Sequence, residues 1–140
     1  MIFYRDEHKN RFYLFLSLLG FVTSLFAVIV YLNGNPDFLI FKNSYYKTAA
    51  TGFFINRTAF AVFLLFSLIA SLELLKNIET QQFSKKKDNF FFKIYVRLFV
   101  IFITIGIIAS FSRIGNFLLL ITILFYFVNE LFFSKNKSKS

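Results

Sequence analysis

Polar and apolar positions in this chain separate into long blocks instead of alternating. Residues 12–32 (FYLFLSLLGFVTSLFAVIVYL) carry no charge, and further apolar stretches follow at about 58–75, 94–111 and 116–133. Charges enter these blocks only near their ends, as Glu73 in the second, Arg97 in the third and Glu130 in the fourth. A helical run of roughly 20 apolar residues matches the hydrocarbon thickness of a bilayer. The pattern therefore predicts an all-α integral membrane protein with four transmembrane helices. The first block is too long for a signal-peptide core, has no clear cleavage site and is followed by more spans. Spans two and three are short, so their terminal charges are expected to snorkel to the interface.

Composition agrees with that pattern. Of 140 residues 57% are hydrophobic, where a soluble domain of this size needs far more polar surface. The chain reads as a single membrane domain, with a polar tail at 134–140 (SKNKSKS) expected to be disordered. The 24 phenylalanines share A/T-rich codons with the frequent Ile, Lys and Asn, so single phenylalanines carry little information. There is no cysteine, which excludes disulfides, thiolate chemistry and Cys-ligated metals.

The net charge of +9 raises nucleic acid as a partner, but the placement of the charges speaks for a membrane instead. With the N-terminus inside, twelve of the sixteen basic residues fall on the inner side: Arg5, Lys9, Arg11, Lys76, Lys85, Lys86, Lys87, Lys93, Arg97, Lys135, Lys137 and Lys139. Lys42, Lys47, Arg57 and Arg113 remain outside. The bias predicts that both termini are cytoplasmic. Lys85, Lys86 and Lys87 then act as an orientation signal or contact anionic lipid. His8 falls on the cytoplasmic side, and Glu73 and Glu130 at the interfaces.

The two outer connections differ. Residues 33–56 form a loop with turn signals at NGNPD, residues 33–37. Its aromatics Phe38, Phe41, Tyr45 and Tyr46 suit the headgroup boundary, and Asp37 is its one candidate base. SFSRIGN, residues 110–116, reads as a tight hairpin with Gly115 available for the turn. Ser67 with Ser71, and Gly106 with Ser110, have the small-xxx-small spacing of close helix contacts.

Arg57 and Arg113 sit on the side that topology signals leave poor in positive charge. Each stands at the expected start of a helix whose N-terminus points outward. A helix N-terminus offers free N–H groups and about half a positive charge. A guanidinium beside it adds a full charge and a planar donor fork matched to phosphate oxygens. Two such ends on one face would clamp a phosphate or diphosphate at the lipid boundary. The plainer reading is that each arginine anchors a helix end at the headgroups or bonds nearby carbonyls. Asn56-Arg57-Thr58 also has the form of a glycosylation sequon, discounted because it abuts the membrane.

The segment TGFFINRTAFAVFLL, residues 51–65, resembles the G-T-F-x-N-x-N-x-(F/L)-A signature of the O-antigen ligase and polymerase superfamily, which is bacterial. ASFSRIGN, residues 109–116, resembles the S-R-G/A hairpin that follows it one helical pair later. The order matches, as does the basic loop between them, and the resemblance covers roughly residues 11–133. It implies a multi-pass protein of the bacterial inner membrane that moves a glycan from an undecaprenyl-diphosphate carrier at the periplasmic face. No nucleotide sugar, cofactor or required metal is implied, and no nucleic acid; membrane lipid and the lipid-linked glycan are the expected partners.

By position, the resemblance gives the diphosphate to Arg57 and Arg113, with Asn56 orienting the first and Gly52 permitting close backbone approach. Thr58 stands where the family often has a second asparagine, and Ile114 where Gly or Ala usually follows Ser-Arg. Family members have more spans and a large periplasmic loop with further basic residues. The expectation is thus a partial member, a fragment or one subunit that completes its site with another membrane polypeptide. A non-catalytic four-span scaffold of a polysaccharide pathway is the alternative, and a small transport subunit a third.

Overall fold

The computed structural model describes residues 2–34, 48–54, 56–81 and 89–138, with side chains for 8–34, 48–54, 56–78 and 90–136. Asp37, Phe38, Phe41, Lys42, Tyr45, Tyr46 and Lys47, and the lysines at 85–87, lie outside the described residues. Four helices account for nearly everything else: α1 (Ile2–Leu32), α2 (Arg57–Gln81), α3 (Asn89–Ala109) and α4 (Arg113–Ser138). Each contains a stretch long and apolar enough to cross a membrane: His8–Leu32, Arg57–Ile78, Phe90–Ala109 and Arg113–Asn136. This is the make-up of a multi-pass membrane protein.

The helices run further than the apolar blocks. α2 has 25 residues and α3 has 21, because intrahelical hydrogen bonding does not stop at a charged side chain that can reach outward. Lys76 shows how such a charge is carried, its Nζ lying 5.4 Å from the ring centre of Phe133, within cation–π range. The tail expected to be disordered continues α4 through Ser138, where Lys135 adds a positive charge near the negative end of the helix dipole.

Polar contacts fix the register. Ser24 Oγ donates to the Phe102 carbonyl at 2.6 Å, and Asn77 Nδ2 to Asn10 Oδ1 at 3.0 Å. Ser71 Oγ lies 3.0 Å from Ser17 Oγ. With the helix connections, these contacts make α1 and α3 run one way and α2 and α4 the other. Both ends of the described chain then lie at one end of the bundle, and the α3–α4 turn at the other.

Helices α1, α2 and α3 pack mutually, while α4 packs on α2 and α3 only. Small residues allow the close approach. At Gly20 a Cβ would collide with Ser67, and at Gly106 with Ser24 and with Leu64 Cδ1 at 2.9 Å. Ser67, Ser71 and Ser110 are fully buried, so both small-xxx-small pairs lie in the interior. Buried hydroxyls are satisfied locally: Ser17 donates to the Tyr13 carbonyl at 2.7 Å and Ser71 to that of Ser67 at 2.8 Å. Phe60, Leu64, Leu68, Ile103 and Ile107 fill the space between. The outer faces stay apolar, as with Phe15 and Val22 on α1 or Phe117 and Leu124 on α4, as lipid-facing surfaces require.

Candidate functional site

The turn end of the bundle holds all four residues singled out in the sequence. Asn56 is the cap of α2. Its Oδ1 accepts from Thr58 N at 2.9 Å, and its carbonyl accepts from Phe60 N at 3.1 Å, satisfying donors that a helix start leaves open. Ser112 caps α4 in the same way: its Oγ accepts from Gly115 N at 3.2 Å and its carbonyl from Asn116 N at 2.9 Å. Arg57 and Arg113 are therefore the first residues of their helices. Helix α4 begins three residues before the apolar block at 116, because Ser112 supplies a cap there.

The two capped ends touch. Ser112 Oγ and Thr58 Oγ1 are 3.5 Å apart. One turn on, a Cβ at Gly115 would stand 2.5 Å from Ala61 Cβ, so α2 and α4 approach closely at this end. Arg57, half-buried, and Arg113, exposed, thus leave from adjoining first turns. Asn116 follows on the same face of α4 as Ser112. Its Oδ1 is buried and meets no hydrogen-bond donor among the described residues.

The hairpin turns at a different residue from the one expected. Gly115 is helical, and Phe111 takes the left-handed conformation with φ of 49°. For a residue with a Cβ this costs about 1–2 kcal/mol. Around the turn, Ser110 N donates to the Gly106 carbonyl at 3.1 Å and Phe111 N to that of Ile108 at 3.1 Å. The ring of Phe111 lies 6.2 Å from that of Tyr31 at the end of α1.

Gly52 has φ of 57°, and a Cβ there would meet Ala27 Cβ at 3.1 Å and Phe60 Cε2 at 3.6 Å. Its close backbone approach is made to α1. The segment around it is irregular yet buried: Ala49, Ala50 and Thr51 are almost wholly enclosed. Ala50 N donates to the Ala109 carbonyl at 3.0 Å, tying this segment to the end of α3. Phe53 stacks on Phe26 at 4.3 Å. Irregular backbone at membrane depth is tolerated where protein encloses it, and α1, α2 and α3 do so here.

Thr58, Ser112 and Asn116 were not singled out as site residues from the sequence. Ser112 carried a signal, a serine three residues before a glycine at a helix start. The orphaned Asn116 oxygen carried none, since its burial depends on α4 docking against its neighbours. Comparison with protein-family models, curated proteins and solved structures finds no match to this chain.

Proposed function

We propose that this chain is a partial O-antigen ligase/polymerase-like protein of the bacterial inner membrane, with both termini cytoplasmic, that holds a lipid-linked diphosphate at its periplasmic face. One observation carries the reading: the capped N-termini of α2 and α4, each opening on an arginine, meet at Thr58 and Ser112. Two helix dipoles and two guanidinium groups then share one end of the bundle, an arrangement that favours a dianionic ligand. The distribution of basic residues supports the orientation, and the two motifs support the family.

In this reading an acceptor hydroxyl attacks the anomeric carbon of the glycan. The new C–O bond forms as the bond to the diphosphate breaks, and the departing lipid diphosphate takes the electron pair. Arg57 and Arg113 offset the charge developing on the leaving oxygen. The hydroxyl proton needs a base; among the described residues none stands at this end, and Asp37, which lies outside them, or a second membrane polypeptide is the proposed source.

Binding is the test. The chain, purified into lipid nanodiscs, is titrated with a polyprenyl diphosphate and with the corresponding monophosphate. Preferential binding of the diphosphate, weakened in Arg57→Gln, is expected; equal binding of both, unchanged by the substitution, would refute the reading. The scaffold alternative rests on α4, whose broad exposed apolar face suits contact with another membrane protein.

A further inference from the structure

Arg97 does not lie where a positively charged helix end normally lies. Ser24 Oγ reaches the Phe102 carbonyl at 2.6 Å, which sets residue 24 of α1 beside residue 102 of α3. The two helices run in the same direction, so Arg97 stands level with Leu19. Arg11, the last charge before the apolar part of α1, lies eight residues nearer the chain terminus. At 1.5 Å per residue Arg97 is about 12 Å deeper than Arg11.

At that depth Arg97 faces outward. It is exposed, between Ile94, Leu98 and Ile101, which are 39%, 42% and 53% exposed on the same outer side of α3. No hydrogen bond or ion pair joins its guanidinium to another described residue. A guanidinium on a lipid-facing surface inside the hydrocarbon is costly unless it reaches, or draws in, an anion. Its side chain can meet one, because Cα–Cβ bonds lean toward a helix N-terminus and α3 begins at the near membrane surface.

We propose that Arg97 binds the headgroup of an anionic phospholipid, its guanidinium reaching the phosphate in the leaflet on the side of the chain termini. The guanidinium fork takes two phosphate oxygens. An anionic headgroup is favoured over a zwitterionic one because no headgroup cation then opposes the guanidinium. This site rests on the bilayer placement of α3 but not on the arginine pair at the opposite end.

The absence of tryptophan makes a clean test possible. Leu98→Trp places a lone fluorophore beside Arg97, and the protein is reconstituted with brominated phosphatidylglycerol or brominated phosphatidylcholine, whose bromines quench it. A preference of about fivefold for the anionic lipid is expected, corresponding to roughly 1 kcal/mol for a basic residue at the membrane surface. Adding Arg97→Gln should bring the preference close to unity, while Arg97→Lys should keep part of it. Leu124→Trp, on the exposed apolar face of α4, serves as the reference and should show no preference. Equal quenching by both lipids at Leu98→Trp, or a preference that survives Arg97→Gln, would overturn the site alone. Absence of quenching by either lipid at both positions would overturn the bilayer placement as well.

Discussion

Thr58 and Ser112, 54 residues apart, bring their hydroxyls to 3.5 Å and so join the first turn of α2 to the first turn of α4. Between helices in lipid there is no hydrophobic driving force, and association depends on close van der Waals packing and polar contacts. Gly115 provides the first by letting Ala61 approach. The hydroxyl pair provides the second, with Tyr126 donating to Glu73 Oε1 at 2.9 Å toward the other end of the same helix pair.

Because the chain has no native cysteine, this contact can be read directly. Thr58→Cys combined with Ser112→Cys is expected to form a disulfide on mild oxidation in membranes, whereas Leu32→Cys with Leu131→Cys is not. Adding Gly115→Ala should lower the yield of the first pair by pushing α4 away from α2. A yield unaffected by that methyl group would show that the helices do not pack as described.

Gly106→Ala tests the centre of the bundle. A methyl group there collides with Ser24 and crowds Leu64, while the Ser24 hydroxyl is engaged with the Phe102 carbonyl. Overpacking of this kind costs about 1–3 kcal/mol. Thermal or denaturant unfolding in detergent should show the loss, and an unchanged stability would mean that α1 and α3 are not held at this distance.

Phe111 makes the opposite prediction. Its left-handed backbone should be relieved in Phe111→Gly, a gain of about 1 kcal/mol from the removed Cβ penalty. The contact with the Tyr31 ring is loose at 6.2 Å and offsets little of this. A clearly destabilised variant in the same unfolding measurement would show that the ring outweighs the backbone.

Orientation has its own test. Phe53, half exposed beside the buried segment at the turn end, is expected on the periplasmic side, and the C-terminus on the cytoplasmic side. In intact cells an impermeant maleimide should label Phe53→Cys and spare Ser140→Cys; the reverse pattern would invert the topology and remove the periplasmic site.

The four helices were legible because bilayer thickness fixes the length of an apolar run, and the blocks at 12–32, 58–75, 94–111 and 116–133 carry that length directly. Their ends were less so. Whether helix continues past Glu73 or Glu130 depends on where those side chains reach, as Tyr126 does for Glu73. Close packing at Ser67 and Gly106 followed from spacing, but partners did not: nothing in the sequence pairs Gly20 with Ser67. The site was visible as two arginines near helix starts. That α2 and α4 set those starts side by side is a matter of tertiary packing, and so is the burial of Asn116 Oδ1. Gly115 was misplaced in the turn because glycine is the usual left-handed residue, and the chain puts Phe111 there instead.

The central claim is that Arg57 and Arg113 grip one diphosphate together, and a double-mutant cycle on ligand binding measures this most directly. Polyprenyl diphosphate affinity is compared for the native chain, Arg57→Gln, Arg113→Gln and the double variant in nanodiscs. Each single substitution should weaken binding about tenfold to a hundredfold, the range for a hydrogen bond to a charged group. The double variant should lose less than the sum of the two. Affinity unchanged in either single variant, or strictly additive losses, would contradict a shared ligand.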